Sequence, residues 1–516
     1  MKSKIGKILT SSLLAVSIIA SALPLSVSAV TTGTKSGNTN EATIDENITD
    51  HSISYSKSNG WQVRTKNNKG EIEAVIPSVS ALKKYVYKDS NNKDQVKNAV
   101  DDVITVKTLS ALKTALKTTV PSGIYRYINI ADDIELNSNI NIPTYTILYI
   151  NKHTIDCNNK RIVINGDNVL VTGDGTSGTS IENSMILNGT VQINGKNNTA
   201  IKCVKLTNQD NHNINQRILY TGTCKNSVIN NCELNNNSTS DSSTRITVGA
   251  SDCASTVTNL KIFDCSSNGS SPYLIRTNAN SKLNGFQMSS NDTISKKVKI
   301  YNSNNIYISD THSLPYEFED TNNIYFPAAS EDASPYSTSD LTFTGCNNFR
   351  VDANKINGNL SIKGNSTNDK TNNFRIYNSN VTGTTTIAHC YNFTIYSTIF
   401  AKKVDVNDCY YFNTNRTGDD SDNNKSYTNV FKQGLYLTNC RNFILNHCNT
   451  LNSGSTLKIT ASNSYSYFTI ENTKVKTLSI SNMKQFTLES TCTRNGGKGG
   501  KPHKFTNCKY YKNYSH

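Results

Sequence analysis

The chain has 516 residues, of which 35% are hydrophobic, and its formal net charge at neutral pH is +14. A globular domain with one thick core needs a larger apolar share. This composition therefore disfavours that class and favours a repeat architecture with a narrow core. The positive charge favours anionic partners, such as acidic polysaccharide, wall teichoic acid or phospholipid headgroups.

The first 29 residues have the parts of a secretory signal peptide. Three lysines precede an apolar run over 13–23, and small residues at 27–29 offer a cleavage site. The run is too short for a stable membrane span, and no later segment of the sequence resembles one. We therefore expect a secreted, extracellular protein, with a net charge of +11 after cleavage and without nucleic acid as a partner.

Residues 30–102 are rich in Ser, Thr, Asn and Lys, which predicts a flexible region, with a short helix expected within 71–102. An amphipathic helix is predicted over 108–118, where Leu109, Leu112 and Leu116 have helical spacing. The first strands are predicted to follow this helix.

One phrase recurs between residues 103 and 491: a Cys or Thr, two polar residues, an aromatic residue and then alternating apolar positions. It is found at 346–351, 371–376 and 390–395, and successive copies are 18 to 31 residues apart. This spacing is too short for helix-pair repeats, and no 3.6-residue periodicity supports them. It fits a coil of two or three short strands, and the length of the region predicts roughly 14 such coils.

Neighbouring coils of such a solenoid lie about 4.8 Å apart, so equivalent residues stack on one another. The aromatic residue of each phrase is then predicted to join an internal stack of Phe349, Phe374, Phe393, Phe412 and Phe443. The preceding asparagine tolerates left-handed backbone angles, and its amide can bond to the asparagine of the next coil. This predicts an asparagine ladder of Asn226, Asn259, Asn305, Asn323, Asn348, Asn373, Asn392 and Asn442.

The thirteen cysteines follow the same repeat. Cys390, Cys409 and Cys440 share one register in consecutive copies of the phrase, where other copies have Thr, Tyr or Met. A position that accepts these residues has no requirement for sulfur chemistry. We therefore predict buried thiols that act as small apolar groups, and the same for Cys232 and Cys448.

The repeat and its turn asparagines resemble the pectin-lyase-like superfamily of right-handed parallel β-helices. The resemblance implies an all-β solenoid over 103–491 with an N-terminal amphipathic cap helix, followed by a basic Gly/Lys-rich tail over 492–516. It also implies a polysaccharide or cell-wall polymer as partner. The local signatures of polygalacturonases and of one large pectate lyase group are absent from the sequence, so no catalytic residue is carried over.

A candidate catalytic trio comes from the register of the repeat. Lys370, His389 and Asp408 each stand just before the turn residue of three consecutive copies, and they are predicted to lie one above another. Such a trio can remove the proton beside a uronate carboxyl group, with Lys370 neutralising the carboxylate. The alternative is that the three are polar turn residues without a catalytic role.

A candidate ligand-binding surface lies at outward positions of the same copies. Aromatic rings offer apolar faces to sugar C–H groups, and arginines offer paired donors to carboxylates. The alternative for the tyrosines is that they stabilise the sheet by stacking. The residues are Arg350, Arg375, Tyr377, Tyr396, Tyr391 and Tyr410.

Two stretches, 313–340 and 413–430, interrupt the repeat and are predicted to be loops. The second contains Asp419, Asp420 and Asp422, whose carboxylates offer a Ca²⁺ site or form a solvated acidic loop. No other cofactor is expected.

Three classes of function remain open. The chain binds extracellular, anionic polysaccharide without catalysis, or it is a divergent polysaccharide lyase or glycoside hydrolase, or it is an adhesive or structural rod. The missing catalytic signatures favour binding, and the resemblance favours polysaccharide.

Overall fold

Strands dominate the architecture, as seen in a computed structural model of the chain. Between residues 42 and 97 the structure describes the backbone of six strands. The signal peptide predicted over 1–29 lies outside the described residues. From residue 103 onward the described residues are 103–119, 126–173, 181, 183–209, 212, 214–289, 291–293, 296–310, 313–329, 335–352, 354–365, 371–414, 428–450, 455–461, 467–483, 485–489, 493–494, 503–508 and 511–513.

Each coil contributes strands to three parallel sheets, here called I, III and II in the order in which the chain passes through them. The first complete coil shows this order, with Arg126–Ile130 in sheet I, Ile134–Glu135 in sheet III and Ile140–Ile142 in sheet II. The chain then returns to sheet I at Thr146–Tyr149, which pairs in parallel with Arg126–Ile130. This winding is a right-handed parallel β-helix, as the sequence predicts.

The bounds of the strands are as follows. Sheet I contains Val103–Val106, Arg126–Ile130, Thr146–Tyr149, Val169–Thr172, Asn197–Lys202, the second part of Ile218–Asn230, Ser255–Phe263, Lys282–Ser289, Asn304–Ser309, Asn322–Phe326, Asn347–Asp352, Thr371–Tyr377, Cys390–Tyr396, Tyr410–Asn413, Phe443–Asn446, Tyr467–Glu471, Gln485–Leu488 and Tyr511–Asn513. Sheet II contains Ile140–Ile142, Arg161–Ile164, Thr190–Asn194, the first part of Ile218–Asn230, Thr244–Val248, Tyr273–Thr277, Lys297–Tyr301, Leu314–Glu319, Ser337–Thr344, Leu360–Lys363, Thr385–Ala388, Val404–Asn407, Leu435–Thr438, Leu457–Thr460, Leu478–Ser481 and Lys504–Thr506. Sheet III contains Ile134–Glu135, Thr154–Asp156, Met185–Leu187, Lys205–Thr207, Glu233–Leu234, Ser266–Ser267 and Asp292–Thr293, and its place in later coils is taken by Lys355–Ile356, Asn380–Val381, Ile399–Phe400, Asn429–Phe431, Cys448–Thr450, Lys474–Val475 and Thr493–Arg494.

The predicted internal aromatic stack is confirmed. The rings of Phe349 and Phe374 are 4.8 Å apart between centroids and nearly parallel, and those of Phe374 and Phe393 are 4.5 Å apart. Phe412 and Phe443 continue the stack at 4.8 Å, and all five rings are buried. The alternating pattern of each strand therefore places its aromatic residue in the core.

The turn from sheet II into sheet I uses left-handed backbone. The eight asparagines that precede the core position in the repeat all have φ between +53° and +58°. Asparagine tolerates this region better than other residues with a side chain. Neighbouring coils are also joined through these side chains. Nδ2 of Asn226 donates to Oδ1 of Asn198 at 3.0 Å, and Nδ2 of Asn259 donates to Oδ1 of Asn226 at 3.1 Å.

The three turn cysteines are buried, as predicted. Cys390, Cys409 and Cys440 are free cysteines, and their Sγ atoms approach backbone carbonyl oxygens at 3.1 to 3.7 Å. Cys232 and Cys448 are buried as well. Burial also raises the pKa of the Cys346 thiol, two copies of the repeat before Cys390, to about 12.

One α-helix, Leu109–Lys117, is found among residues 103–516 that the structure describes. Thr108 caps it, since its Oγ1 accepts a hydrogen bond from the backbone N–H of Ala111 at 3.2 Å. Its buried Leu112 and Leu116 pack against the first coil, so the helix covers this end of the core. No helix of the described residues is long and apolar enough to cross a membrane.

The repeat covers more of the chain than the sequence indicates. Sheet I has eighteen strands among the described residues, whereas roughly 14 coils were expected. The strands Leu314–Glu319 and Asn322–Phe326 are regular parts of coils, so residues 313–340 are not simply a loop. The sequence suggests a loop because Phe318 and Phe326 stand among acidic residues without the recurring phrase. In the structure both rings are fully buried in the core.

The parallel pairing also passes the expected boundary at residue 491. Lys504–Thr506 pairs with Leu478–Ser481, and Tyr511–Asn513 pairs with Gln485–Leu488. The physical reason is that the ring of Tyr511 stacks on Phe486 at 5.0 Å and so continues the aromatic stack. The described part of the tail is therefore one more coil.

The described residues before the solenoid form a six-stranded antiparallel sheet, and the flexibility predicted for 30–102 stays a prediction. Its strands Ser52–Ser56 and Gly60–Lys66 pair with each other and are called the N-terminal hairpin below. The short helix expected within 71–102 is not seen in the described part, which consists of strands. The remainder of that range lies outside the described residues. The strands are Ala42–Thr43, Ser52–Ser56, Gly60–Lys66, Ile72–Glu73, Tyr85–Lys88 and Asp94–Lys97.

Candidate functional site

Arg350 and Arg375 are paired in neighbouring strands of sheet I at a position that faces outward. The carboxylate of Asp352 lies between them. Nε of Arg350 contacts Oδ2 of Asp352, and Nη2 of Arg375 lies 3.3 Å from the same oxygen. The side chain of Asp352 is 2% exposed, while those of Arg350 and Arg375 are 44% and 33% exposed.

This cluster keeps the capacity to bind an anion. Burial raises the pKa of Asp352, and the charges of Arg375 and Arg350 offset this shift only in part. Nε of Arg375 is buried and has no hydrogen-bond partner among the described residues, so a ligand would be bound by the exposed part of the guanidinium. Two guanidinium groups against one carboxyl group leave a net positive charge, and N–H donors remain for a ligand carboxylate.

Tyr377 and Tyr396 lie beside the arginines, with ring centroids 4.5 Å apart. The guanidinium of Arg375 is 5.9 Å from the ring of Tyr396, and that of Arg350 is 5.2 Å from the ring of Tyr325. Tyr396 is only 6% exposed, so it supports this surface more than it presents a face to solvent. Tyr377 is half-buried and is the more accessible of the stacked pair.

Tyr391 and Tyr410 form a second group at the other edge of sheet I. Their centroids are 5.3 Å apart, and the ring of Tyr411 lies 5.2 Å from Tyr391. The guanidinium of Arg441 lies 4.9 Å from the ring of Tyr410. Tyr391 and Tyr411 are exposed, so this group offers ring surface to solvent. Tyr411, Arg441, Tyr325 and Asp352 are members of these two groups that sequence reasoning missed.

His389 and Asp408 lie in consecutive coils, with Nδ1 of His389 3.9 Å from Oδ2 of Asp408. Both residues have positive φ, +55° and +51°, and therefore occupy the left-handed turn position. Nδ1 of His389 has no hydrogen-bond partner within the part of the chain that the structure describes. Lys370, the third member of the predicted trio, lies outside the described residues.

Asp419, Asp420 and Asp422, the candidate calcium ligands, also lie outside the described residues. Within the described ranges, no group of three or more His, Cys, Asp or Glu side chains is placed to hold a metal ion.

No protein-family model matches this chain, and no curated protein matches it. Several solved structures match parts of this chain at low sequence identity. A mutant tailspike protein of E. coli bacteriophage HK620 in complex with a pentasaccharide is 11% identical, with a TM-score of 0.32 over 83% of each chain. An alginate lyase from Paenibacillus sp. str. FPU-7 is 10% identical, with a TM-score of 0.25 over 51% of this chain and 94% of that one. A family 28 exopolygalacturonase from Yersinia enterocolitica is 8% identical, with a TM-score of 0.24 over 87% and 82%.

Three parallel sheets wound coil by coil decide the fold. The chain is a parallel β-helix. On this β-helix, the outer face of sheet I holds the arginine cluster in its middle and tyrosines near both edges. Tyr391 stands before the left-handed Asn392 at one end of the strand, and Tyr396 is its last residue at the other end.

Proposed function

We propose that this β-helix is a secreted protein that binds anionic polysaccharide or cell-wall polymer on the outer face of sheet I. The Arg350–Asp352–Arg375 cluster would hold a uronate carboxylate, and the tyrosines at the edges would support sugar rings. The observation that carries the proposal is the exposure of two paired arginines beside aromatic rings on one sheet face. The signal-peptide pattern and the net charge of +11 after its removal agree with an extracellular anionic ligand.

Retention on immobilised polygalacturonate tests this proposal, with neutral dextran as the comparison polymer. We expect Arg375→Ala to weaken retention by about tenfold or more, because a charge-assisted hydrogen bond is worth about 1.5–3 kcal/mol. Added salt should weaken retention of the wild type as well.

Arg276→Ala is the matched control, since Arg276 lies on sheet II and its loss changes the net charge equally. Retention should change little in this variant. Equal retention on both polymers, or an equal loss in both variants, would refute a specific anionic site on sheet I.

A polysaccharide lyase is the second candidate, and the approach of His389 to Asp408 favours it. The partly exposed imidazole would take the proton from the carbon beside a uronate carboxyl group, and Lys370 would neutralise that carboxylate. The electron pair would form a C=C bond as the glycosidic C–O bond at the next ring carbon breaks, and the departing sugar oxygen would take up a proton. Formation of ultraviolet-absorbing unsaturated product from polygalacturonate or alginate measures this activity. His389→Ala and Lys370→Ala should each abolish product formation, and activity retained in both variants would leave these residues as turn residues.

A further inference from the structure

One row of outward positions on sheet I is apolar and buried in the first coils. Leu148 points into the core, and its neighbour Ile147 faces the opposite side, yet Ile147 is only 2% exposed. The register aligns Ile147 with Tyr127 and Leu170, which are 1% and 8% exposed. Tyr127, Ile147 and Leu170, here called the outer patch, are separate from the contiguous core. Something other than the core therefore covers them.

The same row of positions changes character further along the β-helix. After Leu170 it runs through Ala200 and Val228 to Lys261 and Gln287. It then reaches the tyrosines and arginines of the candidate binding surface. A polar sheet face suits solvent, whereas an apolar sheet face needs a covering layer. The apolar part of this row is confined to the first coils.

The sequence of the N-terminal hairpin alternates apolar and polar residues along both strands. Its register pairs Ile53 with Val63 and Tyr55 with Trp61. Opposite residues of an antiparallel pair share one face, and every second residue along a strand returns to it. By backbone register, these four positions alternate with the polar ones and belong to one side of the hairpin. A two-stranded hairpin is marginally stable alone and needs a partner for such a face.

The hairpin is also placed next to the outer patch. Its strand Gly60–Lys66 lies against Asn197–Lys202, the sheet I strand that pairs with Val169–Thr172. Leu170 of the outer patch is aligned with Ala200 of that strand. Lys202 also lies on the outer side of sheet I, and it is only 1% exposed.

We propose that the N-terminal hairpin docks through its apolar face onto the outer patch, as an intramolecular covering layer of the first coils. This interface joins two segments of one chain, and it excludes a second copy and any separate partner from this surface. It leaves the later coils of the same face open. The proposal does not depend on glycan binding, since neither the hairpin nor the outer patch includes a residue of the candidate binding surface.

Trp61 provides the test, because it is the only tryptophan of the chain and belongs to the hairpin. In the full-length mature protein we expect blue-shifted emission with weak quenching by acrylamide. Leu170→Glu places a charge in the outer patch and should shift the emission to the red and raise the quenching constant severalfold. Tryptic cleavage after Arg64 should accelerate in the same variant.

Gln287→Glu is the matched control, since it adds the same charge to the same row outside the patch. It should leave Trp61 emission unchanged. If Leu170→Glu does not fold, Val63→Asp is the second variant, because it places a charge in the hairpin and changes no residue of the coils. The same red shift of Trp61 emission is expected.

Three results would overturn the proposal. Trp61 exposed in the wild type would mean that the hairpin is not docked. An unchanged wavelength of Trp61 emission in both Leu170→Glu and Val63→Asp would mean that another segment covers the outer patch. Emission that shifts on dilution of the wild type would mean that the covering layer comes from a second copy.

Discussion

Tyr411 occupies a backbone position that asparagine holds in most neighbouring coils. It has φ of +55° and precedes Phe412 in the stack, as Asn392 precedes Phe393. A bulky side chain in this region is a real outlier, and such strain is often found at functional sites. The exposed Tyr411 ring contacts Tyr391. This agrees with the proposal that the ring surface binds a ligand, while the positive φ of Tyr411 lowers the stability of the fold.

We therefore expect Tyr411→Asn to stabilise the fold by about 1 kcal/mol, because asparagine relieves the strained backbone. Chemical denaturation of the two proteins measures the difference. The reciprocal change Asn392→Tyr should destabilise by a similar amount. If Tyr411→Asn instead lowers the free energy of unfolding, the ring contacts outweigh the strain.

The arginine cluster shows what the sequence predicts of the site and what it omits. The repeat placed Arg350 and Arg375 in one register, and the structure pairs them. The role of Asp352 was missed, because its carboxylate matters only once the strand is seen to bring it between the two guanidinium groups. The signal was present, since Asp352 is two residues from Arg350 and so shares its face of the strand.

The later strands of sheet I carry a continuous stack of core rings. Phe374 lies between Phe349 and Phe393, at 4.8 and 4.5 Å. Phe374→Ala should reduce the free energy of unfolding by about 3–5 kcal/mol, through lost burial and an internal cavity. Asn373→Ala, at the adjacent turn, should cost about 1–2 kcal/mol for lost hydrogen bonds. Urea denaturation measures both, and an unchanged midpoint for Phe374→Ala would contradict the inward position of the ring.

A charged group on the outer face of sheet II gives a pH-dependent contribution to stability. Burial by itself raises the pKa of Glu317, but hydrogen bonds and charges from Lys299 and Lys297 outweigh it and hold the pKa below the ordinary 4.5. A carboxyl group with a lowered folded-state pKa stabilises the fold above its unfolded-state pKa. That contribution disappears as the pH falls through the folded-state value.

Glu317→Gln should accordingly be less stable than the wild type at neutral pH, by about 0.5–1 kcal/mol for partly exposed ion pairs. The difference should shrink as the pH falls below about 4.5. Thr342→Gln, one coil further along the same row, adds no titrating group and should show no such trend. The measurement is the free energy of unfolding at a series of pH values, and a difference that grows in acid would contradict the expected sign.

At the scale of the whole molecule, the state of the cysteines shows whether disulfides join the coils. Ten of the described cysteines are buried and Cys253 is exposed. We expect a thiol reagent to modify Cys253 in the native protein and most of the thirteen cysteines only after unfolding. Quantitative thiol labelling of unreduced protein measures this. Finding one reactive thiol or none after denaturation would mean that disulfides hold the coils.

The overall fold was predictable because each coil repeats the same local choices. Strand alternation, the turn asparagine and the core aromatic all indicate one coil. The β-helix then follows because equivalent residues of neighbouring coils pair and stack. The number of coils was underestimated, because coils such as the one with Leu314–Glu319 lack the Cys-Asn-Asn-Phe phrase. The core residues of these coils fill the interior of the β-helix without the recurring phrase. These coils are therefore recognised only from the backbone pairing of their strands.

Nearly all pairing in the solenoid joins a residue to the coil just before or after it. The asparagine contacts between coils, for example, span only 18 to 33 residues. A fold with such short sequence separations has low loop-closure costs and can propagate from any formed coil. During synthesis from the N-terminus, each new coil can therefore fold by pairing with the coil before it. Growth of this kind gives structure to the emerged part long before synthesis is finished.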